Sequence, residues 1–433
     1  MDGSRVFRAA ILAAIVFPGP RAAIAQPPGD AARVARLVKT LGADEFAARR
    51  AADLELLQLG PESRRQLEQA AASADPEIRL RALHLLERAA VVRLWEPTQI
   101  SVKSAGDQLS GVLNACAQQT GNHVFVGDPY SEFSNLPVTV DWHQQPYWQA
   151  IDELARATGN HLRVHYDSRV PGVVVAAGAA GKHPTAYSGP LRAQITSARR
   201  VFIEEFDYER LNSEVTYTFQ LNLQLIWEDR FRLVAYGAQP EIIAAKTDSG
   251  VAVSGPPPSS GSWNVATTST RQITASVRLN PPPVAATKLC ELRLKWSLVA
   301  LGEMAIADLE NPVAEAELHH DGLSLKVLAW DRQPTGRVEM TLLVLRDLMV
   351  PEPAEILFQE NVIELLDSQG RPLRSQSQTH TLTDQGVEFR LAFLGESAGA
   401  VPARLRVTYP KLRSRRDLEI VFRDVPLPVE RPE

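Results

Sequence analysis

The residues best suited to chemistry are few and scattered. The densest polar group is Glu317-Leu318-His319-His320-Asp321, in which two imidazoles and flanking carboxylates are ligand types for a transition metal. It stands directly before Gly322 and an alternating apolar stretch, so a hairpin turn explains it without a metal, and His319, His320 and Asp321 are the ligand candidates it offers. His123 and His161 occupy equivalent places in two similar segments, with His165 four residues further on. Alternation sets His161 and His165 opposite Leu162 and Val164 on a strand, and no Cys or carboxylate cluster completes a ligand set. Glu204, Glu205, Asp207 and Glu209 form an acidic run, and Arg413, Arg415 and Arg416 a basic loop; both read as solvated surface. Gly181-Lys182 lacks the earlier glycine and the following Ser or Thr of a phosphate loop. Among Trp227, Trp263, Trp296 and Trp330, which could stack on sugars, Trp227 and Trp296 continue apolar faces, and Trp263 in its Gly-Ser-rich loop is the exposed one. Gly-x-Ser-x-Gly, His-Glu-x-x-His and calcium-loop spacings are missing, so the expectation is a protein with no catalytic residues, cofactor or metal.

The elements that would position such residues fall into zones. With 433 residues, 45% hydrophobic and 22% charged, the chain is long enough for two to four domains with their own cores. A formal charge of -5 supplies no basic excess, which argues against nucleic acid as a partner. Arg5 and Arg8 precede an apolar run from Ala9 to Phe17, followed by Ala23-Ile24-Ala25, the pattern of a secretory signal (1–25) cleaved between Ala25 and Gln26. Its removal leaves 43 basic and 50 acidic residues, a charge of -7, and no later stretch is long and uncharged enough to span a bilayer. Cys116 lies on the helical stripe Leu109, Val112, Leu113 and Ala117, and Cys290 alternates with Leu292, Leu294, Trp296 and Leu298, so two buried free thiols in different domains are expected.

Residues 26–92 carry helical spacing broken at Leu41-Gly42, Gly60-Pro61 and Asp75-Pro76. Arg50-Ala51 and Leu54 match Arg81-Ala82 and Leu85 at an offset of 31, and Asp75-Pro76-Glu77-Ile78-Arg79 looks like the start of a HEAT-repeat inner helix. Within 95–178, residues 100–126 and 138–164 align at an offset of 38, and Thr120-Gly121-Asn122-His123 reappears as Thr158-Gly159-Asn160-His161. Each unit reads strand, helix, strand, with Gly in the left-handed cap, and Val173–Ala176 adds a last strand. A linker from Ala176 to Ser188 leads to period-two alternation. About fourteen strands then follow, too many for one sandwich, and two are expected, 186–311 and 312–430, meeting near Asn311-Pro312. Charged polar faces such as Glu291, Arg293 and Lys295 argue against a membrane barrel. The fold class is multidomain α+β.

The strand and helix order of 95–178, with its Thr-Gly-Asn-His turns and Val138-Thr139-Val140 strand, resembles the short N-terminal domain of secretins and TonB-dependent transducers. The whole order of parts, ending in Phe422-Arg423-Asp424-Val425-Pro426-Leu427-Pro428, resembles a family of exported planctomycete-type proteins that brings no activity to carry over. The expected function is a non-enzymatic interaction or scaffold protein of the periplasm or cell envelope, binding a protein partner by strand addition at the two-helix domain. Envelope carbohydrate binding or hydrolysis by the sandwiches, and a secretin accessory role, are the alternatives.

Overall fold

The computed structural model describes residues 28–127, 132–165, 172–176, 178, 183–209, 212–257, 262–266, 271–320, 323–345, 362–395 and 401–428. The expected cleavage site at Ala25 and Gln26, and Asp321, lie outside these residues. The described chain is mostly β, with several sheets and six α-helices, and it forms two compact units, Met1–Ala89 and Ala90–Glu433.

The first unit is helical. α1 (Pro28–Thr40), α2 (Phe46–Gln58), α3 (Pro61–Ala70) and the first part of α4 (Pro76–Trp95) are delimited by the glycines and prolines that the sequence places between them. Asp75 caps α4, its Oδ1 accepting the Glu77 and Ile78 N–H groups at 2.9 and 3.2 Å, and Pro76 occupies the first turn, where no backbone donor is lost. Val34, Leu41, Ala52, Leu56, Leu67, Ala82 and Leu85 form the core. The offset-31 correspondence does not carry over to burial. Leu54 is exposed where Leu85 is buried, and Ala51 is exposed where Ala82 is buried. In α2 the buried face is set by Ala52 and Leu56 instead, so the two helices turn different stripes inward.

The second unit begins with an α/β module. Its elements are β1 (Gln99–Ile100), β2 (Lys103–Gln108), α5 (Leu109–Thr120), β3 (Val124–Val126), a 3-10 turn (Glu132–Asn135), β4 (Pro137–Asp141), β5 (Gln145–Pro146), α6 (Tyr147–Ala157), β6 (His161–His165) and β7 (Gly172–Ala176). The internal repeat becomes a local two-fold. β1 pairs with β5 and β2 with β4, and the register Gln99↔Pro146, Ile100↔Gln145 maps at the offset of 38 onto Pro137↔Gln108, Val138↔Asp107. Val102 and Trp142 exchange backbone hydrogen bonds of 3.1 and 2.8 Å between the two pairs. Both helices end as the repeat requires, with Gly121 at φ 72° and Gly159 at φ 70°, left-handed values that glycine adopts without strain. β7 lies between the equivalent strands β3 and β6, parallel to the first and antiparallel to the second.

Next come β8 (Thr185–Ser188), β9 (Leu191–Asp207), β10 (Asn212–Trp227), β11 (Arg232–Gly237), β12 (Glu241–Thr247), β13 (Trp263–Val265), β14 (Gln272–Leu279) and β15 (Lys288–Leu301). They are followed by β16 (Met304–Glu310), β17 (Glu317–His320), β18 (Leu323–Arg332), β19 (Arg337–Leu345), β20 (Val362–Asp367), β21 (Arg374–Leu382), β22 (Gly386–Leu394), β23 (Pro402–Pro410) and β24 (Arg413–Pro426). Four sheets result. The order β14-β10-β9-β8 faces a sheet in which β15 is flanked on one edge by β12 and β11 and on the other by β24, and the two share one core. The orders β16-β23-β20 and β17-β18-β19-β22-β21 share a second core.

This topology corrects the boundaries expected at 186–311 and 312–430. β16 joins the later sheets, and β24 returns to run the full length of β15, with Leu418, Ile420, Phe422 and Val425 in the earlier core. The chain crosses out at Gly302-Glu303 and back at Lys411-Leu412. The two crossings are hydrogen-bonded to each other, Gly302 N to Leu412 O at 2.8 Å and Lys411 N to Glu303 O at 2.9 Å. Alternation shows that a segment is a strand but not which sheet receives it, and chain order alone does not fix that. The basic run Arg413, Arg415 and Arg416 accordingly lies on β24 rather than in a loop.

Candidate functional site

Glu228, Asp229 and Arg230, in the turn between β10 and β11, tie the α/β module to the sheets. Glu228 is fully buried; it accepts the Thr98 backbone N–H at 2.9 Å, the Thr98 hydroxyl, and Arg230 Nε at 3.0 Å. Arg230 also donates to the carbonyls of Arg93 and Glu96. Asp229 Oδ2 accepts the His123 backbone N–H at 2.6 Å and lies 2.5 Å from His123 Nδ1, its own N–H donates to Asn122 Oδ1 at 2.7 Å, and Arg271 pairs with its other oxygen. Burial and the neighbouring Arg271 cation hold His123 below its ordinary value. The Asn122-His123 turn is therefore a docking element. Its copy, Asn160-His161, has no such partner among the described residues: Asn160 Nδ2 bonds back to Thr158 O at 2.7 Å.

A second tie joins α6 to β9. Arg192 grips Asp152 with two bonds of 2.6 and 2.9 Å, and the Tyr187 hydroxyl donates to the same carboxylate at 2.8 Å. Trp148 Nε1 donates to Pro190 O at 2.9 Å, and Trp95 Nε1 to Ser414 Oγ at 2.9 Å. Ile226 explains where the sequence pattern breaks. Gln220, Asn222 and Gln224 sit on the wet face of β10, but Ile226 on that same face enters the module core, while Leu225 and Trp227 fill the core between the sheets.

Among the described residues, the outer side of β3 is one of the module's open strand edges. His123 O accepts Val173 N at 2.9 Å and Gly127 N donates to Val175 O at 3.1 Å, so by alternation Val124 and Val126 turn their backbone groups away from β7. β3 has no other strand neighbour among the described residues. Beside this edge a cavity of about 500 Å³ is lined by Leu113, Asn114, Phe125, Val126, Ser134 and Asn135. A second one, of about 420 Å³, lies across α5 against β2.

The residues singled out for chemistry do not converge. His319 faces outward, 3.1 Å from Ser324 Oγ and 3.5 Å from Glu317, whereas His320 turns to the other side and meets the Tyr409 hydroxyl at 2.8 Å. Successive strand residues point to opposite faces, which separates the pair. Among the described residues no three His, Cys, Asp or Glu side chains are grouped to hold a metal ion. Trp263 is half-buried on β13 under the Arg415 guanidinium, 4.8 Å from its ring centroid, and not exposed in a loop. Trp227 and Trp296 are core residues, and Trp330 packs partly buried against the later core.

Cys116 is buried and its thiol is pushed up to about 12 by burial, but Cys290 is exposed, against expectation. β12 and β24 each pass from Leu289 to Glu291, leaving Cys290 out of the ladder as a bulge that reverses the alternation, so Leu289 and Leu292 are both inward. Among the described residues no helix is long and apolar enough to cross a membrane.

No protein-family model matches the chain, and no curated protein matches it in sequence.

Proposed function

We propose that the chain is an exported, non-enzymatic interaction or scaffold protein of the cell envelope, in which the module at 95–178 captures an extended segment of a protein partner. In this reading the module is a relative of the secretin and TonB-transducer short domain, the N-terminal helices are HEAT-like, and the four sheets form two β-sandwiches whose border strands are exchanged. The observation that carries it is the outer edge of β3, which has no second strand neighbour among the described residues, beside the cavity under α5. An edge strand offers a row of free N–H and C=O groups to an added strand, and a flanking cavity gives one of its side chains a seat. The buried Glu228 and Asp152 clusters support the same reading, since they hold the module fixed against the sheets.

The test is a photo-crosslinking amino acid at Asn114 in the native envelope, with and without Val126→Pro. Proline at 126 removes an outward N–H and spares the bonds to β7. The adduct is expected to disappear in the proline variant while hydrogen exchange in β7 stays protected. An adduct that persists in that variant, or none in the parent, overturns the proposal.

A further inference from the structure

The hairpin of β9 and β10 is longer than the sheet it belongs to. β14 pairs with β10 only from Phe219 to Ile226, and β8 pairs with β9 only from Leu191 to Gln194. Beyond Phe219, β10 is paired, among the described residues, with β9 alone, from Thr218↔Val201 to Asn212↔Asp207. Those seven residues of β10 make a two-stranded ribbon about 23 Å long at roughly 3.3 Å per residue.

The ribbon keeps the apolar pattern of the core after the core has ended. Tyr217 and Val215 continue the face of Phe219 and Leu221, yet they are 61% and 43% exposed where Phe219 is fully buried. The register puts Glu204 across from Val215 and Phe206 across from Ser213 on that face, and Phe206 is 49% exposed. Phe206 and Tyr208 pack edge to face, centroids 5.0 Å apart, with Tyr208 84% exposed. A two-stranded ribbon with an uncovered apolar face is marginal in water, and exposed contiguous apolar surface on a projecting element marks a binding face.

Charge decides what covers it. From Val201 to Thr218 the sequence has five carboxylates (Glu204, Glu205, Asp207, Glu209, Glu214) against one cation, Arg210, a net of -4 where the whole chain has -5. Arg199 and Arg200 mark the base, Arg199 being committed to Gln220 Oε1 at 2.9 and 2.6 Å. A second copy would bring its own carboxylates face to face, and an anionic lipid surface would be repelled.

We propose that this ribbon is a docking arm for a positively charged protein surface, its apolar strip of Phe206, Val215 and Tyr217 seated on aliphatic or aromatic side chains, Glu204 on that strip meeting Lys or Arg, and Glu205 on the reverse face adding to the negative field. It is a different surface from the β3 edge.

The probe is a labelled twelve-residue peptide alternating lysine with valine and phenylalanine, compared with its glutamate counterpart by anisotropy against the full chain. The lysine peptide is expected to bind and the glutamate peptide not. Binding should weaken about tenfold in Val215→Ser/Tyr217→Ser and in Glu204→Gln/Glu205→Gln, and weaken with added salt. It should be unchanged in Val126→Pro, which separates this arm from the edge. All the substituted arm residues are exposed, so unaltered circular dichroism controls for folding. Equal binding of the two peptides, binding indifferent to the arm variants, or no binding overturns the proposal. So does dimerisation in sedimentation, or capture by anionic phosphatidylserine vesicles, that Tyr217→Ser abolishes.

Discussion

Replacing Arg192 by Met tests whether the module and sheets are held by an ion pair or by apolar packing alone. Methionine keeps most of the side-chain stem and removes the guanidinium, leaving the Asp152 carboxylate with the Tyr187 hydroxyl as its remaining partner of the three. Hydrogen bonds to a charged group contribute about 1.5–3 kcal/mol each, and two are lost, which sets a range of about 3–6 kcal/mol. The Asp152 side chain is 12% exposed and can regain some hydration, so the expected cost lies at the lower end, about 3–4 kcal/mol. The readout is amide hydrogen exchange over Tyr147–Ala157, where a cost of that size speeds the slowest amides by about a hundredfold or more. Asp152→Leu combined with Arg192→Met, in a Tyr187→Phe background so that no hydroxyl is stranded, should cost about 1 kcal/mol, less than Arg192→Met alone, because no unpaired charge remains. An Arg192→Met cost below about 1 kcal/mol, or a double variant equal to the sum of the singles, would refute the argument.

Three further outcomes are expected. His123 has a folded value lowered by burial and Arg271 from its ordinary 6.5, so the unfolded chain takes up a proton first on acidification; stability is fully present above that value and is lost as pH falls through it. His123→Gln should flatten the pH dependence between pH 7.5 and 5.5, and equal slopes for the two proteins, or an NMR titration of His123 above 6.5, would contradict it. Gly189 turns the β8–β9 hairpin at φ 57°, and a Cβ there would overlap the Trp95 carbonyl, so Gly189→Ala should cost about 2–4 kcal/mol in thermal unfolding, with an unchanged midpoint counting against the close approach. Native protein should react with Ellman's reagent at one thiol, Cys290, and denatured protein at two, because burial keeps the Cys116 thiol protonated; two fast thiols or none in the native state would contradict the burial assignments.

Much of the local structure was legible because it is decided locally. The breaks at Gly60-Pro61 and Asp75-Pro76 reappear as helix starts, the two Thr-Gly-Asn turns adopt the left-handed caps, and the dry face Phe219, Leu221, Leu223, Leu225 and Trp227 is buried as its alternation requires. The misreadings share a cause. Parity points Cys290 inward, and a single bulge reverses that parity; the Gly-Ser surroundings of Trp263 point it outward, and Arg415 from near the end of the chain covers it. The docking role of Asn122 and His123 had a sequence trace in the repeated turn, but its partner is Asp229, 106 residues away from His123.

Sequence by itself determined where the helices and strands lie, which residues of each are apolar, and that the 38-residue repeat builds two like halves, because propensity, capping and periodicity act over a few residues. Tertiary structure decided which sheet receives β16 and β24, which copy of the repeat docks, and that the β9–β10 ribbon outruns its sheet, because pairing between distant strands depends on which edges the folded chain leaves open.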